Sequence, residues 1–433
     1  MKRRIATLAF VMAASCLHAE APNVVVGIVS DVHMNPSDAT HLCEERFRRA
    51  LAFFDRQKVD AVAGCGDYVE LGWHQWYRLL GKYWFERFPE NRRSDGQPVV
   101  PLFAYGDHEM ENRWNSNITR RFSREYILER DIPTYGRGRL YMETFKEPWA
   151  PIMRKCVKGY DFVIGHFTMR EDGNGNICDE GKLVPWGENI PGMDAFFTTN
   201  IFDRTKPFFY FQHKPPRNTV ISPLVTGQDD GTSHRILARY PNAVVFCGHR
   251  HKSATSERNL WQGEFTCVQV PAMEDVQTDA GHENGWASCD GYVPTDPAQQ
   301  MEKVRVHGDG GQCLLMRVYA DRLVIERWNV DYAEKVGSDW VVPLGKDNLG
   351  SASFERRAQS AKPVAFDKDD KVSVSMRHGK DRAGVPTDQY VVSFPPAKSA
   401  AGRARGYDYR VSARLTKHYW TRTACEKWVY SDK

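Results

Sequence analysis

The sequence predicts an α/β fold that carries a small all-β module at its C-terminal end. Short β-branched apolar runs alternate with helix-like periodicity in the first third of the chain, the rhythm of a parallel or mixed sheet covered by helices. Each run ends in an acidic residue or a histidine, at the strand edge where open α/β sheets bind ligands. Beyond residue 362 the pattern changes to polar–apolar alternation broken by turns. With 433 residues there is room for one large domain and a smaller one, and 41% hydrophobic with 12% aromatic residues describes a folded chain.

Residues Val24 to Val29 read as a strand buried on both faces, ending in Ser30-Asp31-Val32-His33. Leu42, Phe47, Leu51 and Phe54 share helical spacing across residues 41–57. A second strand, 59–65, leads to Gly66-Asp67, and an aromatic-rich helix follows over 73–88. Its Trp73, Trp76, Tyr77, Tyr83 and Trp84 read as packing. The third strand, 99–105, ends in Gly106-Asp107-His108-Glu109. Further strands are expected at 160–166, at 207–212 before His213, at 243–247 before Gly248-His249-Arg250-His251, and at 265–270. A hairpin of 314–318 and 323–328 follows. The inserts 112–160, 171–190 and 272–311 lack readable motifs, and the last reads as a functional loop. Residues 372–376, 389–394, 407–414 and 427–430 suggest a β-sandwich of the fibronectin type III or immunoglobulin kind. The expected organisation is a signal peptide over 1–19, a main domain over 22–345, a linker over 346–362 and the β-module over 363–433.

Lys2-Arg3-Arg4, the apolar run from Ile5 to Ala14, and Ala19 supply the three parts of a secretory signal. The run is too short to span a bilayer, so the mature protein is expected in the periplasm or outside the cell. Cys16, after Ala13-Ala14-Ser15, leaves lipoprotein anchoring open. The net charge is only +4, but residues 346–433 hold 18 Lys+Arg against 10 Asp+Glu. A basic module therefore follows a slightly acidic body, which leaves contact with an anionic surface open. Of ten cysteines, Cys65 and Cys247 end buried strands and read as small hydrophobes. Cys156, Cys178, Cys267, Cys289 and Cys313 are the disulfide candidates, their pairing open.

Five strand-end motifs thus follow one another: Asp31-x-His33, Gly66-Asp67, Gly106-Asp107-His108-Glu109, His213 and Gly248-His249-Arg250-His251. In this order they resemble the calcineurin-like metallophosphoesterases, in particular exported bacterial-type members outside the purple branch. The resemblance covers residues 24–328 and implies a four-layer α/β/β/α sandwich. It also implies a phosphatase or phosphodiesterase reaction by attack of a metal-bridging hydroxide, with Asp31, His33, Asp67 and His251 on the first ion. Asp67 would bridge, and Asp107, His213 and His249 would complete the second site. His108 would lie by the leaving group as the catalytic residue. Oxygen and imidazole ligands without thiolate suit Mn, Fe or Zn. Arg250 and Arg113 are candidates for contact with substrate, whereas the lone His166, His234 and His282 stay outside the ligand set.

Two positions depart from the family pattern. Asp107 stands where Asn is usual, adding charge that should hold the second ion more tightly. Glu70 replaces the usual Asp three residues after the bridging carboxylate. The purple branch has a metal-binding Tyr at that offset and lacks the first His, so Glu70 and His33 point away from an iron–tyrosinate centre. The acidic main body argues against a polynucleotide and for a small phosphoester, nucleotide or lipid headgroup. Two rival readings stay open at this point: a non-catalytic binding protein that keeps metals for stability, and a membrane-associated lipid phosphoesterase held by Cys16 or the basic C-terminal module.

Overall fold

The computed structural model describes residues 20–35, 39–72, 74–110, 137–167, 190, 192–220, 229, 231–276, 282–283, 293–295, 310–360, 364–380, 384–395, 397–399, 408–417 and 420–430. The signal segment with Cys16, and Trp73, Arg113, Cys178 and Cys289, lie outside them.

In chain order the elements are β1 (Val24–Val29), α1 (Leu42–Arg56), β2 (Ala61–Gly64), α2 (His74–Arg87), β3 (Val100–Phe103), α3 (Arg137–Phe145), β4 (Ile152–Val157) and β5 (Tyr160–Gly165). There follow α4 (Met193–Thr199), β6 (Phe208–Phe211), α5 (Thr232–Leu237), β7 (Ala243–Cys247), β8 (Leu260–Gln262), β9 (Thr266–Gln269), β10 (His282–Glu283) and β11 (Val293–Pro294). Then come β12 (Gln312–Val318), β13 (Arg322–Asn329), β14 (Glu334–Lys335), β15 (Trp340–Pro343), α6 (Phe354–Ser360) and β16 (Val364–Ala365). The chain closes with β17 (Ser373–Lys380), β18 (Pro386–Ser393), β19 (Lys398–Ser399), β20 (Asp408–Lys417) and β21 (Trp420–Tyr430).

Two large sheets form the body. The first runs β14-β13-β12-β1-β2-β3, with β15 also on β13, and the second runs β4-β5-β6-β7-β9-β8. Strands β1, β2 and β3 are mutually parallel, as are β5, β6, β7 and β9. Side-chain alternation explains how the sheets stack. Phe162 and Ile164 of β5, Phe209 and Phe211 of β6, and Val244 and Phe246 of β7 join the core built on the first sheet. Their neighbours Val163, Tyr210 and Val245 face the other way, onto Met193 and Phe197 of α4 and Ile236 and Leu237 of α5. Helices α1 and α2 cover the first sheet, with Phe54 against Gly27 and Trp84 edge-on to Phe103. The layers are α/β/β/α, and the motif-bearing ends of β1, β2, β3, β6 and β7 converge. Trp76, Tyr77 and Trp84 are buried packing residues, as their spacing suggests.

The C-terminal region is all-β, but its pairing differs from a self-contained sandwich. Among the described residues it forms the sheets β10-β21-β20, β11-β17-β18 and β16-β19, and the first two of these take a strand from the 272–311 insert. The segments that bridge to it, His282-Glu283 and Val293-Pro294, are two residues long and carry no periodicity to read. The expected linker, 346–362, holds a short helix. Within it α6 docks on the body: Arg357 donates to Glu257 and to the Leu260 carbonyl (3.2 Å), and the Ala352 N–H donates to Gln262 (2.8 Å).

Three disulfide candidates are corrected. Cys156, Cys267 and Cys313 lie within β4, β9 and β12 and are free thiols among the described residues, the latter two buried, because they are strand residues and not loop staples. Cys65 and Cys247 are buried as expected. Among the described residues no helix is long and apolar enough to cross a membrane.

Candidate metal centre

The ends of the strands are shaped by backbone that few side chains tolerate. Asp31 (φ 50°), His33 (49°), Asp67 (54°), His249 (72°) and His251 (46°) all adopt the left-handed region. Each such residue costs about 1–2 kcal/mol, and strain of this kind concentrates at functional sites. Turning so sharply brings neighbouring strand ends into contact. Gly66 (φ 94°) lies against Gly106 and the ring of His213, where a Cβ would meet His213 Nδ1 at 2.8 Å. At Gly248 a Cβ would collide with the side chains of Ser30 and Asp31.

The side chains gather in two joined groups. Asp31, His33 and His251 form one, Asp67, Asp107, His213 and His249 the other, and each group could hold an ion. In the first, His33 Nε2 faces His251 Nε2 at 3.1 Å, and His251 Nε2 lies 3.5 Å from Asp31 Oδ1. In the second, His213 Nε2 lies 2.8 Å from Asp107 Oδ1, 3.1 Å from Asp67 Oδ2 and 3.1 Å from His249 Nδ1. Asp67 stands between them, its Oδ2 also 3.7 Å from His33 Nε2. All seven residues proposed as ligands from the sequence are therefore brought together.

The partners of the rings fix which nitrogen faces inward. His213 Nδ1 donates to the Cys65 carbonyl (2.7 Å), and His33 Nδ1 to Glu70 Oε2 (3.0 Å). With Nδ1–H so engaged, a neutral ring turns its Nε2 lone pair inward. Two lone pairs 3.1 Å apart repel unless a proton or a metal ion lies between them, so each facing pair of nitrogens shares one or the other. Asp107 Oδ1 is buried and, among the described residues, lacks a well-formed hydrogen bond despite its two histidine neighbours. Convergent lone pairs, an orphaned carboxylate oxygen and no thiolate make a donor set that fits divalent transition ions.

The charged groups of the site also act on one another. Burial disfavours the Asp67 anion, but His213 and His108 outweigh it and keep the carboxyl well below its usual range. Burial likewise opposes the His251 imidazolium, but Asp31, Asp275 and Glu274 raise it to about 9. A raised histidine contributes stability that is complete below pH 6.5 and disappears as the pH rises through 9. The melting temperature of metal-free protein is therefore expected to fall between pH 6.5 and 9. Metal affinity should rise over the same interval, because binding must displace that proton. Thermal melts and metal titrations at three pH values check both; a flat profile in each would contradict them.

Several functional residues carry no role in the sequence reading. Glu109 is buried, and its carboxylate accepts the backbone N–H groups of Asp67 (2.8 Å), Tyr68 (2.6 Å), Val69 (3.2 Å) and Gly106 (2.7 Å). It ties together the two loops that present Asp67 and Asp107. Lys214, also buried, brings Nζ to 3.8 Å from Asp107 Oδ2 and offsets the carboxylate that stands where Asn is usual. Glu274 and Asp275 approach His33 and His251 from the turn after β9. The strand-end pattern that singles out the other motifs extends to this turn, five residues past the strand.

His108 receives its backbone position from Asp67 Oδ1 (3.0 Å) and donates from Nδ1 to the Glu70 carbonyl (2.8 Å). Its ring meets that of His33 edge-on, with centroids 4.5 Å apart. Arg250 is half-buried, and its Nε makes no hydrogen bond among the described residues. Arg113 lies outside the described residues. His166 is buried in the core, where Nδ1 accepts the Tyr105 N–H (3.2 Å), and His234 bonds the Arg217 carbonyl (2.7 Å); neither joins the ligand groups.

Residues 24–253 match the model of the calcineurin-like phosphoesterases. The chain belongs to that family. Among solved structures it is similar to a dimetal phosphatase from Danio rerio, at 12% identity and a TM-score of 0.40, over 75% of this chain and 100% of that one. It is also similar to a purple acid phosphatase from yellow lupin (Lupinus luteus) seeds, at 13% identity and a TM-score of 0.42, over 74% of this chain and 54% of that one. No curated protein sequence matches it.

Proposed function

We propose that this chain is an exported dinuclear-metal phosphoesterase that hydrolyses a small phosphate mono- or diester. The observation that carries the reading is the pair of adjoining ligand groups, with Asp67 Oδ2 lying between His213 and His33 and with His108 beside them. Asp31, His33, Asp67 and His251 would hold one ion; Asp67, Asp107, His213 and His249 the other. Two divalent ions in such a site acidify a water and neutralise the phosphoryl oxygens.

The chain's own residues supply the rest. Glu70 fixes His33 through its side chain and His108 through its carbonyl. With Nδ1–H committed to that carbonyl, a protonated His108 would have Nε2–H to donate to the leaving oxygen. Its side chain is about a quarter exposed, so a substrate can reach it. Arg250, next to two ligand histidines, would meet a phosphate oxygen, and Arg113 would extend the contact. The domain reading goes with this function: a signal peptide over 1–19, a catalytic domain over 22–345, a connecting stretch over 346–362 and a β-module over 363–433, in the periplasm or outside the cell.

Asp107→Asn tests the unusual ligand. Removing one charge is expected to weaken the second ion by on the order of tenfold and leave the first unchanged, since ligand charge tunes affinity. Competition against a chromogenic chelator reads this directly; equal loss at both sites, or none, would contradict it. The function itself is tested by hydrolysis of p-nitrophenyl phosphate and bis-p-nitrophenyl phosphate by mature protein loaded with Mn, Fe or Zn, beside His108→Ala. The faster ester identifies the reaction, and no turnover of either with any ion would reject the proposal.

A further inference from the structure

Glu274 and Asp275 begin the 272–311 insert, yet their turn is firmly held to the body. Met273 N donates to the Ser30 (3.0 Å) and Asp31 (3.2 Å) carbonyls, and Glu274 N to the Asp31 carbonyl (2.9 Å), so the turn lies along the end of β1. From α1 the buried guanidinium of Arg46 donates to the Met273 (3.2 Å) and Glu274 carbonyls. The same group is anchored by Asp331 at 2.8 Å. From the other side Gly311 N donates to the Met273 carbonyl (2.7 Å). A turn fastened at three points can aim a side chain accurately.

What it aims is Asp275, whose Oδ1 lies 2.5 Å from His251 Nδ1. We infer that Asp275 is a positioning residue for the first metal site, holding the His251 ring so that Nε2 points at Asp31 and His33. The inference rests on the dinuclear reading above. A carboxylate behind a ligating imidazole fixes its tautomer and strengthens it as a donor. His33 has the same support from Glu70, whereas His213 in the second group rests on a neutral carbonyl. The two sites therefore differ in what stands behind their histidines, and loss of Asp275 should reach only one of them.

The test is a titration of metal-free wild type, Asp275→Asn and Asp275→Ala with Zn2+ against a chromogenic chelator, with circular dichroism to check the fold. Asp275 is half exposed, so both variants are expected to fold. Asp275→Ala should weaken one ion by about 10–100-fold and spare the other. Asp275→Asn keeps an acceptor for Nδ1–H but no charge, and should fall between it and wild type. Wild-type affinity for both ions in Asp275→Ala would overturn the inference and leave the dinuclear centre standing. Equal weakening of both ions would overturn it too, since that is the mark of a collapsed turn. Wild-type protein that binds no ion would overturn both readings.

Discussion

Asp67→Ala is expected to lower metal-dependent phosphoesterase activity by at least about 10³-fold, more than loss of a single charge-stabilising donor costs an enzyme. The reason lies in its position. Its Oδ2 faces His213 Nε2 at 3.1 Å and His33 Nε2 at 3.7 Å, so one side chain serves both ligand groups. Its Oδ1 accepts the His108 N–H, so the same substitution also frees the proposed acid. Activity with either chromogenic ester and metal content by elemental analysis should fall together. A variant that keeps two ions and its turnover would show that Asp67 bridges nothing.

Glu109→Ala should produce the largest loss of stability. It leaves four backbone N–H groups without their acceptor in a buried place. At about 1–3 kcal/mol for each stranded group, the cost is at least about 4 kcal/mol. Burial and then the charge of Asp67 push the carboxyl up to about 7, while these N–H donors favour its ionised form. Urea denaturation in the presence of EDTA separates this cost from any loss of metal. An unchanged midpoint would mean that the loops of Asp67 and Asp107 hold themselves. Glu109→Gln, which keeps an oxygen but points an amide at two of the donors, should lie between.

The candidate site was legible because its residues leave the chain at strand ends. An apolar run followed by Asp or His is a local signal, and it found Asp31, Asp67, Asp107, His213 and His249 with strand limits within a residue or two. What could not be read is set by contacts far apart in the chain. Asp275 meets His251 only because Arg46, 229 residues earlier, and Gly311 fasten its turn. Lys214 looks like an ordinary loop lysine until burial brings it beside Asp107. Glu109 stands inside a motif, but its work is done on backbone amides, which no side-chain pattern records. The β-module was visible as alternation, whereas the partners β10 and β11 were hidden in an insert without periodicity. The buried thiols of Cys267 and Cys313 show the same limit, since a cysteine beside loop-rich sequence can belong to a core strand.

The central claim is that two ions work together across Asp67, and a stoichiometric titration of turnover tests it most directly. Metal-free protein is titrated with Mn2+ or Zn2+ while bound ion and ester hydrolysis are measured in the same samples. Turnover should remain near zero through the first equivalent, rise with the second and level off at two ions per chain. Full turnover at one equivalent, or two bound ions with neither ester hydrolysed, would contradict a dinuclear phosphoesterase.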